Sequence, residues 1–198
     1  TGLMYIINSF VPSFKVCREN EFLIWLRTAN LPFRGSSVYA LALFASQFKI
    51  DVEVFVGRKE IFFPNYRFKG VKKSELKTAN NVAKFFYKQV IKEGIKVNVM
   101  DFDFSFVKKK LLSGYVLLLK LSLGYLRNSI KNESAEISFK KAKPRYVPVM
   151  NYGNEKFVVA DPVLGKIVVD EKILQESFNM ISSKCKTDNR MITFKLKE

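Results

Sequence analysis

"PRYVPVMNYGNEKFVVADP", residues 144–162, reads as two short strands joined by a polar turn and closed by Asp161-Pro162. Beyond this hairpin come a third strand, "KIVVD", a helix, "EKILQESFNMISSK", and a closing strand, "RMITFKL". Before it lie a strand "IKVNVM", a short amphipathic helix around "FSFVKKKLLSG" and a strongly apolar strand "YVLLLKLSL". Residues 126–144, "LRNSIKNESAEISFKKAKP", are polar and read as an extended loop or insertion forming a basic flap.

The N-terminal third is helical. "TGLMYIINSF" supports a short helix ending before Pro12, and "NEFLIWLRTA" places Phe22, Trp25 and Leu26 on one helical face. "SSVYALALFASQF" is a third helix with Ser36 or Ser37 available as its cap, and "IDVEVFVG" alternates as a strand. Residues 73–92 form the clearest helix: Leu76, Ala79, Val82, Ala83, Phe86 and Val90 fall on one side at helical spacing. Lys73, Lys77, Lys84, Lys88 and Lys92 fall on the other. That stripe is either a solvated face or a ridge that tracks phosphates. Helices cluster early and antiparallel strands late, so the expected class is α+β, N-terminal helices followed by a C-terminal antiparallel sheet, in one domain spanning 1–198.

Apolar residues make up 48% of the chain and aromatics 14%, enough for a real core and too much for a disordered segment. Lys and Arg number 34 against 18 Asp and Glu, a formal charge of +16 that draws the molecule toward polyanions. Cys17 and Cys185 are the only cysteines, too few for a disulfide scaffold and without zinc-site spacing. They read as buried thiols, bridged only if the host is a hyperthermophile, a host that the scarce Cys and Met and abundant Lys, Ile and Val also fit. The start lacks the marks of a signal peptide and the longest apolar run is interrupted by Lys120 and two glycines, so a soluble cytoplasmic protein without a membrane span is expected.

Several strings resemble the papain-like cysteine peptidases of the family that includes the double-glycine leader peptidases, which process bacteriocin precursors. "RYVPVMNYGNEKFVVADP" follows that family's histidine strand and Asp-Pro pair, with Arg145 where the histidine stands, Tyr146 at the following aromatic and Asp161-Pro162 at the end. "NEFLIWLRTAN" resembles a Trp-Arg-Glu-Ala-Asn helix of one branch, and "VYALALFASQFKIDVEVFV" its Gly-Leu-Ala-Leu helix with the Asp-Val-Glu-Val strand. "KILQESF" fits the last helix. The resemblance implies a papain-like fold and leaves both catalytic positions degenerate. The chain begins Thr1-Gly2-Leu3 where the nucleophilic cysteine belongs, and Cys17 lies beyond that helix.

Elementary chemistry agrees. Acyl transfer by a thiol or hydroxyl needs a base that titrates near neutrality, and the chain has no histidine, while an arginine accepts no proton there. Asp161, left beside Arg145, is expected to pair with it. One enzymatic route survives: Thr1 as an N-terminal nucleophile using its own α-amine as base.

Asp101 and Asp103 in "VMDFDFS" have a spacing that suits a carboxylate pair or the turn before a helix; no metal and no cofactor is expected, since no P-loop, dinucleotide turn or paired-cysteine motif occurs. "RKEIFFPNYRFKG" interleaves Arg58, Lys59, Arg67 and Lys69 with aromatics, the mixture that single-stranded nucleic-acid binders use. With Lys140, Lys141 and Lys143 of the flap and the lysines of residues 73–92, these form the expected polyanion surface. The functional expectation is a catalytically inactive peptidase-like binding protein, its partner a peptide or protein tail in the former cleft, or RNA or a ribonucleoprotein such as the ribosome on the basic surface.

Overall fold

A computed structural model describes residues 2–32, 35–58, 72–130, 144–183 and 187–197. In chain order the elements are α1 (Gly2–Phe10), α2 (Arg18–Thr28), α3 (Val38–Ser46), β1 (Ile50–Val56), α4 (Lys73–Lys92), β2 (Lys96–Val99), α5 (Phe104–Leu112) and β3 (Val116–Ser122). They continue with α6 (Leu123–Ile130), β4 (Pro144–Gly153), β5 (Lys156–Asp161), β6 (Gly165–Asp170), α7 (Glu171–Ser183) and β7 (Arg190–Leu196). The described strands form one seven-stranded sheet in the order β2-β1-β7-β3-β4-β5-β6. Among the described strands only β1 and β2 run parallel; every other neighbouring pair is antiparallel.

Side chains alternate across a strand, so each strand feeds two faces. On one face Val52, Val54 and Val56 of β1, Leu118 of β3 and Ile192 and Phe194 of β7 meet Leu3, Ile6 and Ile7 of α1, Ile24 of α2, the apolar body of α3 and Val90 of α4. On the other, Phe55, Leu117, Leu119, Val147, Val149, Phe157 and Met191 meet Val107 of α5, Leu126 of α6 and Phe178 of α7. Strands buried on both sides read as continuous apolar runs, which is why "VLLLKLS" of β3 hardly alternates.

The class is α+β, as expected, but the layout is not helices followed by an antiparallel sheet. The sheet is mixed and carries helices on both faces, because β1 and β2 from the first half join it through β7. A second correction concerns residues 126–144. Leu123 and Leu126 are buried three positions apart and anchor α6 through Ile130, and Pro144 already belongs to β4; residues 131–143 of the expected flap lie outside the described residues. The short apolar signal of α6 was hidden by the polar residues after it.

A third concerns α2. Phe22, Trp25 and Leu26 share a face, but that face is exposed, and the buried stripe is Ile24 and Thr28. The Thr28 hydroxyl sits 2.7 Å from the Ile24 carbonyl and 2.9 Å from the Ser36 hydroxyl, tying the inward side of α2 to the approach to α3. Helix α4 spans Lys73–Lys92 as read, with Ala79, Ala83 and Val90 fully buried.

Candidate functional site

Asp161 ends β5 with no exposed surface. Its oxygens accept two parallel bonds from Arg127, at 2.8 Å from Nε and 2.7 Å from Nη2. Oδ1 also accepts the backbone N–H of Val163 at 2.7 Å and of Leu164 at 2.9 Å. Burial pushes the carboxyl pKa up, but the Arg127 guanidinium and the two amides outweigh it and hold the group below the usual carboxylate range.

The expected partner is therefore wrong: Arg127 of α6, not Arg145, neutralises Asp161. Arg145 is exposed and its Nη1 donates to the Pro144 carbonyl at 2.9 Å. Alternation along β4 places Arg145 with Val147 and Val149, on the face that α5, α6 and α7 cover, whereas Tyr146 and Met150 belong to the α1 face.

On that α1 face lies a polar cluster that sequence reasoning missed. The first turn of α1 presses on β4 so closely that a Cβ on Gly2 would fall 2.6 Å from the Pro148 ring and 3.3 Å from the Tyr146 carbonyl. Nearby, Arg190 makes a two-pronged pair with Asp188, at 2.9 and 2.7 Å, almost sealed from solvent. Lys120 donates to the Thr187 hydroxyl at 2.7 Å and to the Asp188 carbonyl at 3.3 Å. Burial pushes the phenols of Tyr39 and Tyr146 up, so both stay protonated. Asp188 is raised by burial and lowered further by Arg190, ending below its ordinary value. At neutrality the Arg190–Asp188 pair is therefore ionised and both phenols are protonated. Its signal in the sequence was "DNR" ahead of an apolar strand, an arginine entering a core.

The Asp101–Asp103 pair dissolves into local structure. Asp103 caps α5, its Oδ1 accepting the Phe106 N–H at 3.0 Å and the Ser105 hydroxyl at 2.7 Å. Asp101 packs on Gly57, where an added Cβ would lie 2.8 Å from Oδ1. Among the described residues no three Cys, Asp or Glu side chains gather as metal ligands.

The lysines of α4 stand as the periodicity placed them. Lys73, Lys77, Lys84, Lys88 and Lys92 are all exposed, and none takes part in an ion pair among the described residues. Arg58, also exposed, follows Gly57 at the end of β1. Thr1, Lys59, Arg67, Lys69, Lys140, Lys141, Lys143 and Cys185 lie outside the described residues. Cys17 is a half-buried free thiol. No helix among the described residues is long and apolar enough to cross a membrane.

Comparison with known protein families, with curated proteins and with solved structures finds no match to this chain.

Proposed function

We propose that this chain is a non-catalytic binding protein of peptidase-like build whose basic surface docks on RNA. The observation that carries the reading is the α4 ridge: five exposed lysines along a 20-residue helix with no carboxylate answering them among the described residues. A helix of that length runs about 30 Å, enough to follow several phosphates. Like charges three or four positions apart repel on a helix, so the stripe costs stability unless a polyanion answers it.

The peptidase-like part of the reading is supported by the order of elements and by the close seat of α1 on β4. The non-catalytic part is supported by the missing histidine and by the full commitment of Asp161 to Arg127 and two backbone amides. Binding of a peptide tail through Arg145 has less support, because Arg145 and α1 lie on opposite faces of the sheet.

Fluorescence anisotropy with a labelled RNA, repeated across a salt series, tests the reading. The affinity should fall steeply with salt, by about 0.7 in log–log slope for each contacted phosphate of a single strand. Changing all five α4 lysines to Gln should flatten that slope and weaken binding by more than tenfold. No binding at low salt, or an affinity indifferent to salt, would sink the proposal.

A further inference from the structure

The α4 ridge is not the only basic surface, and the second lies on the opposite face of the sheet. A groove of about 600 Å³ runs between α5 and the strands β2, β1 and β7, and four lysines line it: Lys96, Lys109, Lys110 and Lys195. Lys110 is seated by its surroundings, its Nζ 4.8 Å from the centre of the Phe55 ring, 4.7 Å from that of Tyr115 and 3.2 Å from a Glu53 oxygen. Lys96 stands 3.7 Å from the other Glu53 oxygen, and Lys195 lies over Tyr115 at 5.8 Å.

Some of this charge has a structural purpose. Lys109 and Lys110 occupy the last turn of α5, whose carbonyl end carries about half a negative charge. Glu53, the one carboxylate among the described residues lining the groove, removes another unit, and Asp101 and Asp103 line the adjoining depression that shares Lys109 with it. The four ammonium groups outnumber the charges set against them within the groove, which leaves it positive. Lys109 and Lys195, both exposed and without a carboxylate partner among the described residues, hold most of what remains.

The chain itself links the two surfaces, passing from α4 to β2, the outermost strand of the described sheet. Lys88 and Lys92 end the α4 ridge, the exposed Glu93 and Gly94, the latter with a φ of +70°, turn the chain, and Lys96 opens β2, the edge strand among the described residues. Helix α4 packs on the face of Val52, Val54 and Val56, and α5 on the face of Phe55. A ligand that uses both lysine sets must bend from one face to the other round a single strand. A nucleic-acid double helix is stiff over about 150 base pairs and cannot make that turn, whereas a single strand can.

Resting on the RNA-binding reading above, we propose that the ligand is single-stranded and that its phosphate backbone passes from the α4 ridge round the β2 edge into the α5 groove. The test compares a labelled 20-nucleotide oligouridine with a 20-base-pair RNA duplex at the same salt, on the full chain and two double variants. Lys84→Gln with Lys88→Gln thins the ridge, and Lys109→Gln with Lys195→Gln thins the groove; all four side chains are exposed, so folding is spared. The single strand should bind at least tenfold more tightly than the duplex. Each double variant should lower the single-strand salt slope by about 1.4, two phosphate contacts' worth, and the groove variant should leave duplex binding unchanged. A duplex that binds as well as the single strand, or a groove variant that leaves the single-strand slope intact, overturns this path while the ridge stands. Failure of both probes to bind the unaltered chain overturns the ridge reading as well.

Discussion

Asp161 illustrates what a single buried charge demands. A carboxylate with no exposed surface survives only if its charge is answered and its lone pairs are filled, and here Arg127 and two backbone amides do both. Arg127→Met should cost about 3 kcal/mol at neutral pH, because it strands a buried charge. Since the folded pKa of Asp161 lies below its ordinary value, the pair's contribution is full above the unfolded carboxyl pKa, about 3.9, and is lost as pH falls through the folded pKa. Urea unfolding of both chains should therefore show a wide gap at pH 7 that narrows below about pH 4; a gap that persists unchanged at pH 3 would contradict the assignment. None of this pairing was legible beforehand. Asp161 and Pro162 announced a turn, but Arg127 stands 34 positions upstream in a polar stretch with several basic residues, and only the tertiary path selects it. The strand period was legible, yet it states that Arg145 and Tyr146 face opposite ways without saying which faces α1.

At the scale of elements, what could be read was spacing, and what could not was orientation. Helix α4 carries three fully buried residues at helical intervals and an opposite stripe of lysines, so one pattern fixed its bounds and its direction together. Helix α2 carries "EFLIWL", apolar nearly all round, and such a run does not say which side meets the core. Ile24 is fully buried in the core beneath α1 and α3 while Leu26 is 73% exposed, and the Thr28–Ser36 bond lies on the same inward side as Ile24. Two substitutions separate the faces. Ile24→Ala should destabilise by about 2–4 kcal/mol as a cavity opens beneath α2, and Leu26→Lys should stay within about 0.5 kcal/mol of the parent. Denaturant midpoints at constant slope measure both, and the reverse order would return α2 to the orientation that its Phe22, Trp25 and Leu26 stripe suggests.

Among the described residues Asp161 is the one fully buried acid, while Glu19, Asp51, Glu93, Asp101, Asp103, Glu155 and Asp170 are exposed. Asp161 and Asp188 are paired with arginines, and Glu53 and Glu171 with lysines, and among the described residues the exposed lysines and arginines outnumber the exposed acids, in keeping with the chain's surplus of +16. Such a surface repels itself, and added salt relieves the repulsion over about 10 Å at 0.1 M. The free protein should therefore gain about 2–4 °C in Tm, equivalent to about 1 kcal/mol, between low and moderate salt. With single-stranded RNA present the sign should reverse. Binding to the folded state alone adds about 2.7 kcal/mol at a hundredfold excess over Kd, and salt removes that increment as counterions reclaim the phosphates. Thermal melts along one salt series, with and without oligouridine, should converge from opposite directions at high salt. A free protein whose Tm falls as salt rises would show that attraction between its own charges outweighs repulsion, and a surface compensated in that way has no field left over for a polyanion.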